Sequence, residues 1–307
     1  MSVIEENYRR WLNSPVVDEK TKKEILGMSE DEKNDAFFKD AEFGTAGMRG
    51  ILGPGTNRLN IFTVRKSTVA FGVYLLEKFP NAKTSGVVIS HDNRHMSREF
   101  TLDTAKTLNE MGINTFIFDS LRPTPELSFA VRELKAVGGV MITASHNPRE
   151  YNGYKVYDEN GCQLVPYRIE RLLEILATLP DELSVTYKKA EVPGKNVILY
   201  DTIDNRYVEE VLSIRLNPDL DKKEFKVVYT PQHGTSYIPA MKIFEKAGYK
   251  DNIFPVLSQC TPDPDFSNTL SPNPEEPKAY IEPLKLAKEL DADLIVMTDP
   301  DADRVGV

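Results

Sequence analysis

Three carboxylates, Asp299, Asp301 and Asp303, stand at alternate positions in TDPDADR, directly behind the apolar run LIVM. Like charges about 4 Å apart repel by roughly 1 kcal/mol in water and about 4 kcal/mol near a protein surface. Held together they call for a counter-ion, and an all-oxygen donor set suits Mg2+. The plain alternative is a solvated acidic turn. An EF-hand would share the Asp-x-Asp-x-Asp spacing, but it needs glycine at the sixth position, where Arg304 stands. A second stretch, GGVMITASHNP, sets Ser145 and His146 at the mouth of another apolar run. Sequence neighbours on an extended loop point apart, so this pair is not expected to serve as nucleophile and base by adjacency. No G-x-S-x-G elbow surrounds the serine. A turn serine near a proline is the bland reading; a serine beside Mg2+ is placed for phosphoryl chemistry.

Both loops need elements to position them, and the same pattern supplies each. Residues 85–90, 114–120 and 138–145 read as strands, alternating with helices over 100–112 and 127–136. A second copy has strands at 225–230, 251–256 and 292–298, with helices at 238–248 and 279–290, the latter despite Pro283. Strand–helix alternation predicts an α/β fold: two tandem α/β/α three-layer domains with mostly parallel sheets. Strands without polar alternation imply full burial of both sheets. Ligands of such sheets bind beyond the carboxyl ends of the strands, where TASHNP and TDPDADR lie.

Around this repeat, residues 1–40 read as two amphipathic helical pieces, the second starting near Ser29 and Glu30, followed by a glycine-rich loop over 41–60 and a helix over 64–79. Further helices are expected at 169–179 and 203–214. We place the domain boundary near 204, giving units 1–203 and 204–307. The closing run RVGV is apolar where chain ends are ordinarily polar, so the chain is expected to be a fragment of a longer protein.

A net charge of −9 argues against nucleic acid or an anionic membrane as main partner. It leaves room for a phosphorylated substrate, since a local basic cluster can coexist with an acidic whole. MSVIEENYRRWLNS lacks the basic start and apolar core of a signal peptide, and no run approaches the apolar length needed to cross a bilayer. Cys162 and Cys260 form neither a disulfide framework nor a metal-ligand spacing, which points to a reducing, cytoplasmic setting.

TASHNP, with YNGYK at 151–155 and the later D-x-D-x-D-R at 299–304, resembles the α-D-phosphohexomutases. GTAGMRG at 44–50 and the following GTNRLNIFTVRKS are similar to the phosphoglucomutase branch, which also includes phosphopentomutases. The resemblance spans nearly the whole chain in matching order. It implies that Ser145 carries a phosphoryl group, and that Asp299, Asp301 and Asp303, with a phosphate oxygen on Ser145, bind one Mg2+. It further implies Arg49 and Arg304 close to the phosphoserine, His146 in the same pocket, and Lys155 as a general acid/base. The implied substrate is a sugar phosphate, α-D-glucose 1-phosphate converting to glucose 6-phosphate. A bisphosphorylated sugar serves as intermediate and activator. Phosphomannomutase or phosphopentomutase activity is the near alternative. Family members carry four domains, so this chain would hold the first and most of the second, and alone would turn over little substrate.

General chemistry agrees with those roles. A phosphoserine bears about −1.5 to −2 charges at neutral pH and needs cationic company, and arginine meets phosphate through a planar fork. A Lys155 desolvated between arginines is expected to have a lowered pKa. Two readings lie outside the family. One is a haloacid-dehalogenase-type phosphatase with Asp299 as nucleophile; the other is a binding module that merely keeps the loops. His91 and His95 read as structural, and His233 and Gly234 as parts of tight backbone packing.

Overall fold

Residues 2–44, 47–217 and 224–307 are described by the computed structural model, so Thr45 and Ala46 of GTAGMRG lie outside the described residues. The N-terminal segment forms three helices rather than the two expected: α1 (Val3–Asn13), α2 (Glu19–Leu26) and α3 (Glu30–Phe37). Each starts on a side-chain cap, Ser2, Asp18 or Ser29, that accepts the backbone N–H three residues on. Ser29 and Glu32 complete a capping box. The helix capped by Ser29 is the second expected piece; it is the cap at Asp18 that splits the first in two. Trp11 packs edge-on against Phe37 and Phe62, and its indole N–H donates to Glu182 Oε1 at 2.7 Å.

The first sheet gathers β1 (Phe43–Gly44), β2 (Gly47–Ile51), β3 (Val87–His91), β4 (Thr115–Phe118), β5 (Gly138–Ile142), β6 (Tyr151–Tyr157) and β7 (Asn196–Leu199). Their order is β1-β2-β6-β5-β3-β4-β7. Strands β5, β3, β4 and β7 run parallel, as the alternation predicts. The other three are antiparallel additions. The reason is connection length: residues 143–150 are too few for a helical crossover, so β6 must return against β5. Helices α4 (Ile61–Lys78), α5 (Ala82–Ser85), α6 (Ser97–Glu110), α7 (Thr124–Glu133) and α8 (Pro166–Thr178) cover the sheet. Val87 and Ile89 point into a core with α4, α6 and α8, while Val88 and Met141 point into a second core with α7. All of β3 and β5 is buried, each large apolar side chain worth about 1.5–3 kcal/mol relative to exposure.

Strand β2 lies in the glycine-rich stretch that periodicity reads as loop. Its Gly47, at φ +94°, approaches β6 so closely that a Cβ would sit 2.2 Å from Tyr154 O. Strand β7, NVIL, is only four residues long, too short to show a period on its own.

Helix α9 (Asp201–Ser213) runs through the expected boundary near 204 and packs against α7 on one side and α10 (Tyr237–Lys246) on the other. Strands β8 (Val227–Thr230), β9 (Ile253–Pro255), β10 (Leu294–Thr298) and β11 (Val305–Gly306) form a sheet of order β11-β10-β8-β9. Its β10-β8-β9 core is parallel, and the closing apolar run supplies the antiparallel edge β11. In α11 (Ile281–Leu290), Pro283 falls in the first turn, where backbone N–H groups lack helical partners anyway. Burial is less complete than the apolar runs imply. Strand β10 is only partly covered, because α11 packs over β8 and β10 while leaving Leu284 and Leu294 exposed. Among the described residues no helix is long and apolar enough to cross a membrane.

Candidate active site

Ser145 leaves the end of β5 in a left-handed turn, φ +53°, and is buried. Its Oγ donates to Asp299 Oδ2 at 2.6 Å and lies 3.2 Å from His146 Nδ1. The second contact corrects the expectation that these neighbours point apart. The loop is not extended at Ser145, and the positive φ turns the two side chains towards each other. Burial, then the charges of Arg304 and Arg49, pull the His146 pKa down, so its imidazole is neutral at pH 7.

The acidic loop faces this serine from the end of β10. Asp299 and Asp301 are fully buried, Asp303 is exposed, and one oxygen from each lies within 4.8 Å of the others. Both units grip the loop. Thr124 donates its backbone N–H to Asp301 O at 2.8 Å and its hydroxyl to Asp301 Oδ2 at 2.9 Å. From the second unit, Thr235 donates through its N–H and hydroxyl to Pro300 O. Gly234 backs the loop so tightly that a Cβ would lie 2.4 Å from Pro300 Cα. That is the tight packing its motif implies. Thr124 was not singled out from sequence; the only signal is the RPTP stretch beyond β4, whose partner lies 177 positions away.

Burial, then the charges of Asp301 and Asp303, push the Asp299 pKa up to about 8. Asp301 is held down to about 2, since the charge and hydrogen bond of Lys155 overcome its burial. One Asp301 oxygen, Oδ1, is buried without a hydrogen-bond partner. Converging carboxylates, an orphaned oxygen and an all-oxygen donor set fit a hard divalent cation such as Mg2+.

Lys155, on β6, reaches the same cluster, with Nζ 2.9 Å from Asp301 Oδ2 and 3.3 Å from Asp303 Oδ2. The expected lowered pKa is not found. Burial does work against the charge, but Asp301, Tyr157 and Asp303 outweigh it and the pKa rises. Its neighbours are aspartates, not arginines. Arg49 Nη1 donates to Asn147 Oδ1 at 2.8 Å, and Arg304 Nη1 to Glu275 Oε1 at 2.7 Å. Their guanidinium groups are exposed, and both are close enough to act on His146. The remaining histidines have structural contacts, although His91 Nε2 is buried without a hydrogen-bond partner. His91 Nδ1 meets Asp92 O, His95 pairs with Asp265, and both nitrogens of His233 are engaged by backbone groups.

Fold and site together define a two-unit α/β protein in which a buried serine and an acidic, cation-ready loop share one cleft. The chain belongs to the phosphoglucomutase/phosphomannomutase family. Residues 40–182 match that family's α/β/α domain I, and residues 205–307 its α/β/α domain II. Among relatives, the phosphoglucomutase of Staphylococcus epidermidis (strain ATCC 12228) is 39% identical over 300 residues, which cover 97% of this chain and 54% of that protein. The phosphoglucomutase of Staphylococcus aureus (strain bovine RF122) is 36% identical over 280 residues, covering 90% and 49%. A Thermus thermophilus structure, provisionally described as a phosphomannomutase, aligns with a TM-score of 0.72 at 28% identity, over 86% of this chain and 56% of that one. A Burkholderia thailandensis family member shares the fold, with a TM-score of 0.66 at 22% identity over 84% and 52%. The chain spans about half the length of the curated relatives it matches.

Proposed function

We propose that this chain carries the phosphoryl-transfer half of a Mg2+-dependent sugar-phosphate mutase, an isomerase, with Ser145 as the phosphoryl carrier. The observation that carries the reading is the 2.6 Å contact between Ser145 Oγ and Asp299 Oδ2, which joins the two loops in one cleft. The favoured substrate pair is α-D-glucose 1-phosphate and glucose 6-phosphate, in line with the relatives named phosphoglucomutase. In this reading the first unit, ending near residue 203, supplies the serine, and the second supplies the acidic loop.

The sugar hydroxyl oxygen bonds to phosphorus as the bond from phosphorus to Ser145 Oγ breaks. The product is a bisphosphorylated sugar, which later returns its other phosphate to Ser145. One proton must pass from the sugar hydroxyl to Oγ. Neutral His146, 3.2 Å from Oγ, is placed to relay that proton, taking one up at one ring nitrogen as it releases one to Oγ from the other. Lys155, held charged by Asp301, fits the acid half of an acid/base role. Asp299, Asp301 and Asp303 would hold Mg2+, which supplies polarisation of the P–O bond and offsets the transferred charge. Arg49 and Arg304, on the open side of the cleft, suit the phosphate oxygens.

The test is to incubate the chain with Mg2+ and glucose 1,6-bisphosphate and map phosphate by tandem mass spectrometry. Acid-stable phosphate on the TASHNP peptide, absent after Ser145→Ala, supports the reading. Label on Asp299 as an acyl phosphate would mean a phosphatase instead, and no label on either residue would remove the carrier role.

A further inference from the structure

Two buried residues that none of the steps above use converge on the backbone of Ser145. Arg94 and Asp92 lie beyond β3, in HDNR, and are 3% and 1% exposed. The four terminal N–H groups of Arg94 all go to carbonyls of the serine loop. Nη2 donates to Ser145 O and Asn147 O, both at 2.6 Å, and Nη1 to Pro148 O at 2.8 Å and Tyr151 O at 2.9 Å. Its Nε lies 3.3 Å from Asp92 Oδ2. Asp92 works on the other side of the same residue. Asp92 Oδ2 accepts from the Thr143 hydroxyl at 2.6 Å, which leaves the Thr143 oxygen to accept the Ser145 N–H at 2.8 Å. Asp92 Oδ1 is fixed in turn by the Arg94 N–H and the Ser97 hydroxyl.

Both backbone groups of Ser145 are thus held, one by Arg94 and one through Thr143 by Asp92. This matters because Ser145 has φ +53°, a conformation that costs energy in any residue with a Cβ and persists only where the surroundings over-determine it. That same conformation sends Oγ to Asp299. Arg94 is also tied to the second unit, its guanidinium carbon 5.2 Å from the Phe266 ring centroid.

We propose that Arg94 and Asp92 are positioning residues for Ser145, clamping both its backbone groups so that the left-handed turn aims Oγ into the acidic loop. The inference rests on Ser145 being the phosphoryl carrier. The donor count makes arginine specific here: a lysine ammonium has three donors without a planar fork and cannot serve four carbonyls. Because no clamp side chain hydrogen-bonds to the acidic loop, and Arg94→Lys keeps the positive charge, its loss should alter the rate of transfer and not the binding of donor or cation.

The test uses Arg94→Lys, Thr143→Val and the conservative Thr143→Ser in the 307-residue chain. Three readouts apply: Ser145 phosphorylation across glucose 1,6-bisphosphate concentrations, Mn2+ affinity, and hydrogen exchange by peptide. Arg94→Lys and Thr143→Val should lower the maximal phosphorylation rate about 100-fold, the scale of an ångström-size misplacement. The half-saturating donor concentration and Mn2+ affinity should stay put, exchange should quicken only in the peptide over 143–149, and Thr143→Ser should react like the parent. Parent-like maximal rates in the first two variants would overturn the clamp, as would exchange that rises equally in every peptide. If the parent itself takes up no phosphate, the carrier reading fails. The exchange arm then still decides the clamp, and unchanged exchange at 143–149 sinks it.

Discussion

Ser145 Oγ and Asp299 Oδ2 are 154 positions apart in sequence and 2.6 Å apart in space. They meet because each sits just past the carboxyl end of a parallel strand, β5 in one sheet and β10 in the other, and the two sheet ends face a common cleft. A hydroxyl and a carboxylate so placed need a third party to balance charge. In this structure Lys155 pairs with Asp301 and Asp303 of the same loop, while the Asp299 carboxyl has its pKa pushed up to about 8 by burial and its acidic neighbours.

The acidic loop should bind Mg2+ or Mn2+, and Asp301→Asn should weaken that binding by at least about tenfold, equivalent to ~1.4 kcal/mol. Calorimetric titration of the parent and the variant reads this directly. Equal affinities would take Asp301 out of the cation site.

Lys155→Met leaves Asp301 as a buried charge without its ion-pair partner. Breaking a buried pair in this way costs about 3–5 kcal/mol, so metal-free variant protein should melt well below the parent. Adding Mg2+ should recover more stability in the variant than in the parent, because a cation replaces the missing charge. Thermal scans with and without Mg2+ measure both effects, and a variant as stable as the parent without metal contradicts the prediction.

Gly234→Ala drives a methyl group to 2.4 Å from the Pro300 backbone. Overpacking against rigid backbone costs about 1–3 kcal/mol, and the displaced loop carries Asp299 and Asp301. Denaturant melts and Mn2+ titration should therefore worsen together. A loss of stability with cation affinity intact would show that the loop yields elsewhere.

A pH effect should also arise from a carboxyl outside the acidic loop. Glu126 of α7 is buried, and burial followed by the Asp204 charge pushes its pKa up to about 9, against an ordinary 4.5. Asp204 accepts both Arg122 Nε and Nη2 at 2.9 Å, lies 3.7 Å from Lys242 Nζ, and is pulled down in pKa; Tyr207 also faces Glu126. Folded protein thus keeps a proton on Glu126 that the unfolded chain releases above about pH 4.5. The stabilisation it contributes is complete below that pH and fades as pH rises through about 9. The melting temperature of the parent should fall more steeply between about pH 5 and 9 than that of Glu126→Gln. Parallel curves would mean that Glu126 ionises normally.

Much of this architecture is written locally. The runs at 138–142 and 294–298 declare strands because their apolar side chains must leave water, and the polar loops that follow them declare the chemistry. Strand β2 escaped because its glycines carry no period of two, and β7 because four residues are too few to show one; pairing with β6 and β4 makes them strands. The extra N-terminal helix was hidden for a related reason, since it is the Asp18 cap and not periodicity that divides the first piece.

At the site, residue types alone marked the candidates: one serine, one histidine, a trio of aspartates, a lysine and two arginines, in the order shared by a known family. Tertiary structure decided who faces whom. It set Lys155 against aspartates and raised its pKa where the opposite was expected. It turned Ser145 onto His146, brought Thr124 to Asp301, and ran Arg94 and Asp92 into the serine's backbone. The reason is physical: side-chain identity is a property of each residue, whereas charge shifts, strained turns and hydrogen bonds depend on distances between segments that only the packing of two sheets can set.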